Sequence, residues 1–238
     1  MPDTRKHRGQ HPADAKLFAP AALPDLKQAV TDFSLLLSKA YADKSALKLV
    51  GDKFSLTQRQ RLAVMRTSCS DEQLKSRKKR CISLKKAAGQ SIAIDGYNLL
   101  ITIEAAMSGA LLLKTRDGCF KDLASIHGTY RKVDETIPAV EMIGRFLAEN
   151  NINDCLWLLD SPVSNSGRLK TLISKLAWEN NWNWRIELVL SPDATLIKSD
   201  SIIVSSDGIV LDGCKKWLNL SRAVIETKIP NTWLIELS

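Results

Sequence analysis

The chain has 238 residues, 45% of them apolar and 25% charged, and its 34 Lys and Arg against 26 Asp and Glu give a formal net charge of +8. That composition excludes a disordered chain, and the length allows one large core or two modest ones, so two domains are expected. No apolar run approaches the ~18 residues of a membrane span, and the opening MPDTRKHRGQHPADAK lacks the apolar stretch of an export signal, so a cytoplasmic protein without a membrane partner is expected.

The surplus charge is localised. Met1 to Gln90 holds 19 Lys and Arg against 8 Asp and Glu, whereas the remainder holds 15 against 18. A basic module followed by a mildly acidic one suggests that the first holds a polyanion while the second does something else. Residues 1–15 are polar, contain two prolines and lack periodicity, which predicts a flexible basic arm.

Residues 16–90 read as a small, basic, all-helical domain. In LPDLKQAVTDFSLLLSKAYA the apolar residues Leu26, Val30, Phe33, Leu36, Leu37, Ala40 and Tyr41 recur at helical spacing behind Pro24. A second helix is expected in SLTQRQRLAVMRTSC. A third begins at SDEQLKSRKKRC, where Ser70 and Gln73 form the S-x-x-Q capping box. Arg59, Arg61 and Arg66, then Lys75, Arg77, Lys78, Lys79, Arg80, Lys85 and Lys86, make a basic run nearly free of acids. It is either a solvated helix face or the footprint of a nucleic-acid backbone. RNA is the expected partner, and composition admits DNA equally.

Residues 91–238 change character. Short apolar strands, SIAID, CLWLLD, WRIELVL, SIIVSSD and TWLIEL, alternate with helical stretches such as TIPAVEMIGRFLAEN and GRLKTLISKLAWEN. That order predicts an α/β domain with a three-layer, mostly parallel sheet. The insertion ALLLKTRDGCFKDLASI reads as a β-hairpin turning at Asp117-Gly118. Of the six tryptophans, most are expected in the core. Trp182 and Trp184, closest to a turn, are the best candidates for stacking on bases.

Five scattered cysteines, Cys69, Cys81, Cys119, Cys155 and Cys214, form no C-x-x-C pair and predict reduced, mostly buried thiols. With only His7, His11 and His127 present, a metal would sit on oxygen ligands, which favours magnesium or manganese. No G-x-G-x-x-G follows the first strand, and no G-x-x-x-x-G-K-[ST] or G-x-S-x-G occurs. Dinucleotide-binding, P-loop and serine-hydrolase chemistry are therefore excluded.

Three expected strands end in aspartate, at Asp95, Asp160 and Asp207. In a parallel sheet these ends share one edge, so the carboxylates converge on one crevice, where a cation could neutralise them. The plainer reading stays open: Asp95-Gly96 and Asp207-Gly208 also suit two-residue hairpins, and Asp160 a turn or cap.

IDGYNLL at 94–100 resembles the opening motif of the NYN branch of the PIN-like nuclease superfamily. WLLD resembles that group's middle strand and IIVSSD its later one, so the likeness covers roughly Ser91 to Leu211. The resemblance implies a Rossmann-like sheet and magnesium- or manganese-dependent hydrolysis of RNA phosphodiesters. It casts Asp95, Asp160 and Asp207 as metal-binding carboxylates supported by Asn98 and Ser206. A fourth acid is usual in that group, and Glu104, Glu141, Asp200 and Asp212 are the candidates, with Asp212 taken together with the metal-binding carboxylates. Ser205 replaces the commoner threonine. The helical part is similar to a family of uncharacterised prokaryotic proteins that carry it ahead of a PIN-like domain. The expected activity is a metal-dependent ribonuclease whose basic N-terminal domain grips the backbone. The alternative is a noncatalytic nucleic-acid-binding or adaptor protein on the same fold.

Overall fold

A computed structural model describes residues 6–124 and 130–238. His127, the last residues of the expected hairpin insertion and the start of the expected arm lie outside the described residues.

The helical region opens with α1 (Asp14–Leu17), α2 (Leu23–Ser38) and α3 (Asp43–Lys53), then α4 (Gln58–Thr67) and α5 (Asp71–Arg80). Ala40, at φ 60°, stops α2. The predicted box at Ser70 and Gln73 caps α5, and Thr57 with Gln60 forms another on α4. The inward faces carry Leu26, Val30, Phe33, Val50 and Val64.

The rest runs β1 (Cys81–Ile82), α6 (Leu84–Ala87), β2 (Ile92–Asp95), α7 (Gly96–Met107), β3 (Leu112–Lys114), β4 (Phe120–Asp122) and α8 (Thr136–Glu149). It continues through β5 (Cys155–Asp160), α9 (Ser166–Glu179), β6 (Trp184–Val189), α10 (Pro192–Lys198) and β7 (Ile202–Val204). The chain then forms α11 (Gly208–Gly213), β8 (Trp217–Leu218), α12 (Leu220–Lys228) and β9 (Leu234–Glu236). Six strands make one all-parallel sheet in the order β1-β8-β7-β2-β5-β6.

Alternation along the strands divides the interior. Ile92, Ile94, Cys155, Trp157, Leu159, Ile202 and Val204 pack with residues of α7, α8, α9 and α12. Ala93, Leu158 and Ile203 pack on the other face with Leu196 of α10 and with Val210 and Leu211 of α11. The sheet is thus the middle of three layers, a Rossmann-like layout.

Several expectations need correction. TWLIEL yields β9, which joins a separate three-stranded sheet, β4-β3-β9, instead of the parallel one. The hairpin β3–β4 turns where predicted, with Gly118 at φ 84°. Leu111, Leu113, Ile235 and Leu237 from this small sheet and its flanks complete the core of the helical region. The Cys81–Ile82 strand, hidden in a basic run, edges the parallel sheet.

From Lys6 onward the N-terminal segment is anchored, not loose. Arg8 forms an ion pair with fully buried Glu104, donates to the Arg131 carbonyl at 3.0 Å and lies over the Tyr130 ring. Asp14 is buried against Arg59. A buried carboxylate requires such a partner.

Four cysteines are buried and free, and Cys81 is exposed and free. Trp182 and Trp184 stack on each other at 4.6 Å, whereas Trp178 is the exposed tryptophan, at 81%. No helix among the described residues is long and apolar enough to cross a membrane.

Candidate active site

The chain leaves β2 toward β5 and β6 on one side and later returns to place β7 on the other. That reversal is a topological switch point, and the crevice beyond the carboxyl ends of β2 and β7 is where open α/β sheets hold ligands. Asp95 ends β2, and Asp160 ends β5. Strand β7 ends at Val204, so Asp207 stands three residues past the strand, across a Ser205-Ser206 turn.

Register and alternation orient these groups. Asp95 pairs with Leu158, and Ile94 with Val204. Asp95, Asp160 and Ser205 share the strand parity of Ala93, Leu158 and Ile203, so they turn toward the α10–α11 layer. Asp207 starts α11, and Asp193 lies in the first turn of α10. Four carboxylates therefore meet one edge. Asp193 is not among the residues the sequence singles out, since it stands as an ordinary first-turn acid of a short helix.

Hydrogen bonds fix the cluster. Ser205 Oγ donates to Asp95 Oδ2 at 2.9 Å and accepts from the Asp207 N–H at 3.0 Å. Asn98 Oδ1 accepts from both the N–H and Oγ of Ser206, at 2.8 and 2.9 Å. Neither Asp95-Gly96 nor Asp207-Gly208 makes a hairpin, because each aspartate caps a helix. Asp95 Oδ1 accepts from Asn98 N–H at 3.3 Å, and Asp207 Oδ1 from Ile209 N–H at 2.8 Å. Gly96 is required by close approach, since a Cβ there would lie 2.6 Å from Leu159 Cδ2 and 2.9 Å from the Leu158 carbonyl oxygen.

The electrostatics follow from burial and like charge. Burial, opposed by the Ser205 and Asn98 hydrogen bonds and aided by Asp193 and Asp207, pushes Asp95 up to about 7. Burial also raises Asp160, and burial with the charges of Asp207 and Asp160 raises Asp193. Tyr97, buried and near Asp160, is pushed up to about 12, and its hydroxyl is buried without a hydrogen-bond partner.

Next to the cluster lies a pocket of about 270 Å³ where Tyr97, Asn98, Ser206 and Asp207 face Arg66 and Lys121. Among the described residues no three His, Cys, Asp or Glu side chains stand close enough to cage a metal. The all-oxygen donor set still suits a magnesium-class ion, which keeps several waters and takes only one or two protein carboxylates beside a substrate phosphate.

Other candidates are engaged elsewhere. Asp212, expected as a ligand, receives two hydrogen bonds from Arg77 at 2.7 and 2.8 Å and one from Gln73. Arg77, expected on the nucleic-acid face, is 4% exposed and bridges Asp212 and Asp117, so it is a structural cation. Glu104 is bound by Arg8, Tyr130 and Thr136, Glu141 by Arg145 and Asp200 by Lys215. Arg59 is committed to Asp14, Arg61 to Asp52, and Arg80 to the Cys214 carbonyl. Arg66 donates to the Asp122 and Ala124 carbonyls at the pocket wall. Lys78 and Lys79 are exposed, with no ion-pair partner among the described residues.

Fold and site together define a parallel-sheet α/β protein with a carboxylate-lined crevice at its switch point. By sequence, the chain belongs to the family described as "Domain of unknown function (DUF5616)", matched over residues 84–223. Residues 25–80 match a second family, "Protein of unknown function (DUF434)". An uncharacterised protein of Methanocaldococcus jannaschii is 28% identical over 186 residues, which cover 78% of this chain and 88% of the relative. No solved structure matches the chain.

Proposed function

We propose that this protein is a metal-dependent ribonuclease with a PIN-like domain of the NYN type, acting in the cytoplasm. The observation that carries the reading is the meeting of Asp95, Asp160, Asp193 and Asp207 at the switch point, where the charges of Asp193 and Asp207 add to the burial that raises Asp95, and those of Asp207 and Asp160 to the burial that raises Asp193. Like carboxylates held this way call for a counter-cation.

Asp95 and Asp207 would hold a magnesium or manganese ion, with Asp160 and Asp193 on the same edge beside them. When bound, the ion supplies an activated water and neutralises charge on the phosphate under attack. Ser205 orients Asp95, and Asn98 with Ser206 sets the loop that carries Asp207. Arg66 and Lys121, across the adjoining pocket, hold the phosphate of a strand laid along the edge. Lys78 and Lys79 add sequence-independent backbone affinity.

A second reading, a noncatalytic nucleic-acid-binding protein on this fold, is favoured by one observation: no three carboxylates stand close enough to cage a metal among the described residues. Cleavage of labelled single-stranded and structured RNAs with manganese separates the two. The ribonuclease cuts, and Asp95→Asn and Asp207→Asn abolish cutting while binding persists. A binding protein retains RNA and cuts nothing.

A further inference from the structure

Strand β6 closes one end of the parallel sheet and pairs only with β5, so its outer edge has no partner among the described residues. It is six residues long and contains no proline or glycine to blunt that edge. The apolar exposure near it is unusual: Leu190 is 83% exposed, Leu188 37%, and Trp178 on the adjoining α9 81%.

The order of side chains along β6 is self-complementary. An antiparallel pairing of two copies about a twofold axis through Ile186 sets Arg185 opposite Glu187 twice. It also sets Leu188 opposite Trp184 twice, and leaves the exposed Leu190 just beyond each end of the pair. Directly opposed residues in such a pair share a face, so each match is a contact. Arg185 and Glu187 are both exposed and have no ion-pair partner among the described residues. Any register shift of this isologous pair removes both charge matches.

We propose that β6 is a homodimer interface through which two copies of this chain join their sheets edge to edge, in the register centred on Ile186. The partner is a second copy because one strand supplies both signs of charge and both halves of the apolar match. The interface lies at a sheet end and needs no contribution from the carboxylate site.

The test is sedimentation equilibrium of the full chain across a concentration series, with circular dichroism to confirm folding. Wild type should dimerise. Arg185→Glu alone sets glutamate against glutamate twice, and Glu187→Arg alone sets arginine against arginine twice. Each should weaken self-association by about tenfold or more. Mixing the two single variants restores both charge pairs, so a heterodimer should form, and the double variant R185E/E187R should dimerise like wild type. Leu190→Asp, at a position exposed in the monomer, should also weaken the dimer. A monomeric wild type overturns the proposal. So do single variants or Leu190→Asp that associate as well as wild type, or a mixture that stays monomeric.

Discussion

Ser205 on the β7 side donates a hydrogen bond to Asp95 at the tip of β2, at 2.9 Å, across 110 residues of sequence. The bond opposes the burial that drives Asp95 toward its neutral form, and burial still wins, leaving the carboxyl at about 7. Removing the hydroxyl therefore raises Asp95 further. In Ser205→Ala, the alkaline-going rise of metal-dependent cleavage should move to higher pH, and a carboxyl titration by NMR should place Asp95 above its wild-type value.

Asp95 also makes stability depend on pH. Its folded value lies above the usual carboxylate value of 3.8, so between about 4 and 7 the folded protein binds a proton that the unfolded chain has lost. Stability should fall as pH rises through that window. Asp95→Asn keeps a capping side chain for α7 and abolishes the effect. Its melting temperature should match wild type near pH 4 and exceed it at pH 8, by an energy of up to roughly 4 kcal/mol.

Arg8 should behave as part of the core despite its place near the N-terminus. Arg8→Ala leaves Glu104 buried with only Tyr130 and Thr136 as donors, and a loss of about 3 kcal/mol in denaturant unfolding is expected. Glu104→Gln in the same background should recover part of it, because an amide is cheaper to bury than an unpaired carboxylate.

The basic run divides by burial. Arg77→Met strands Asp117 and Asp212 and should cost about 3 to 5 kcal/mol of stability. Changing exposed Lys78 and Lys79 to alanine should leave stability within about 0.5 kcal/mol. That pair should instead lower the slope of RNA affinity against salt by roughly 1.4 in logarithmic units.

Much of this was legible because it is local. The caps at Ser70, the Asp117-Gly118 turn and the apolar strands β2, β5 and β7 follow from neighbouring residues. The common edge of Asp95 and Asp160 follows from parallel order alone. What was hidden depends on distant partners. Arg77 reads as one more surface cation until Asp117 and Asp212 arrive from residues far along the chain, and Arg8 reads as tail until Glu104 claims it. Asp193 was hidden for another reason. A short helix brings it to the edge, and nothing in its immediate sequence distinguishes it from a first-turn acid. The strand Leu234–Glu236 alternates as any strand does, and only packing on the hairpin assigns it to the second sheet.

The measurement that tests the central claim most directly is a manganese titration at pH 8 followed by electron paramagnetic resonance of the free ion, on wild type, Asp95→Asn and Asp207→Asn. Asparagine keeps a side-chain oxygen for each helix cap, so the variants stay folded while losing a charge. A saturable site in wild type that weakens by at least tenfold in each variant is the predicted result. Manganese that remains free with wild type, or binds equally to all three proteins, would contradict a metal centre at the switch point.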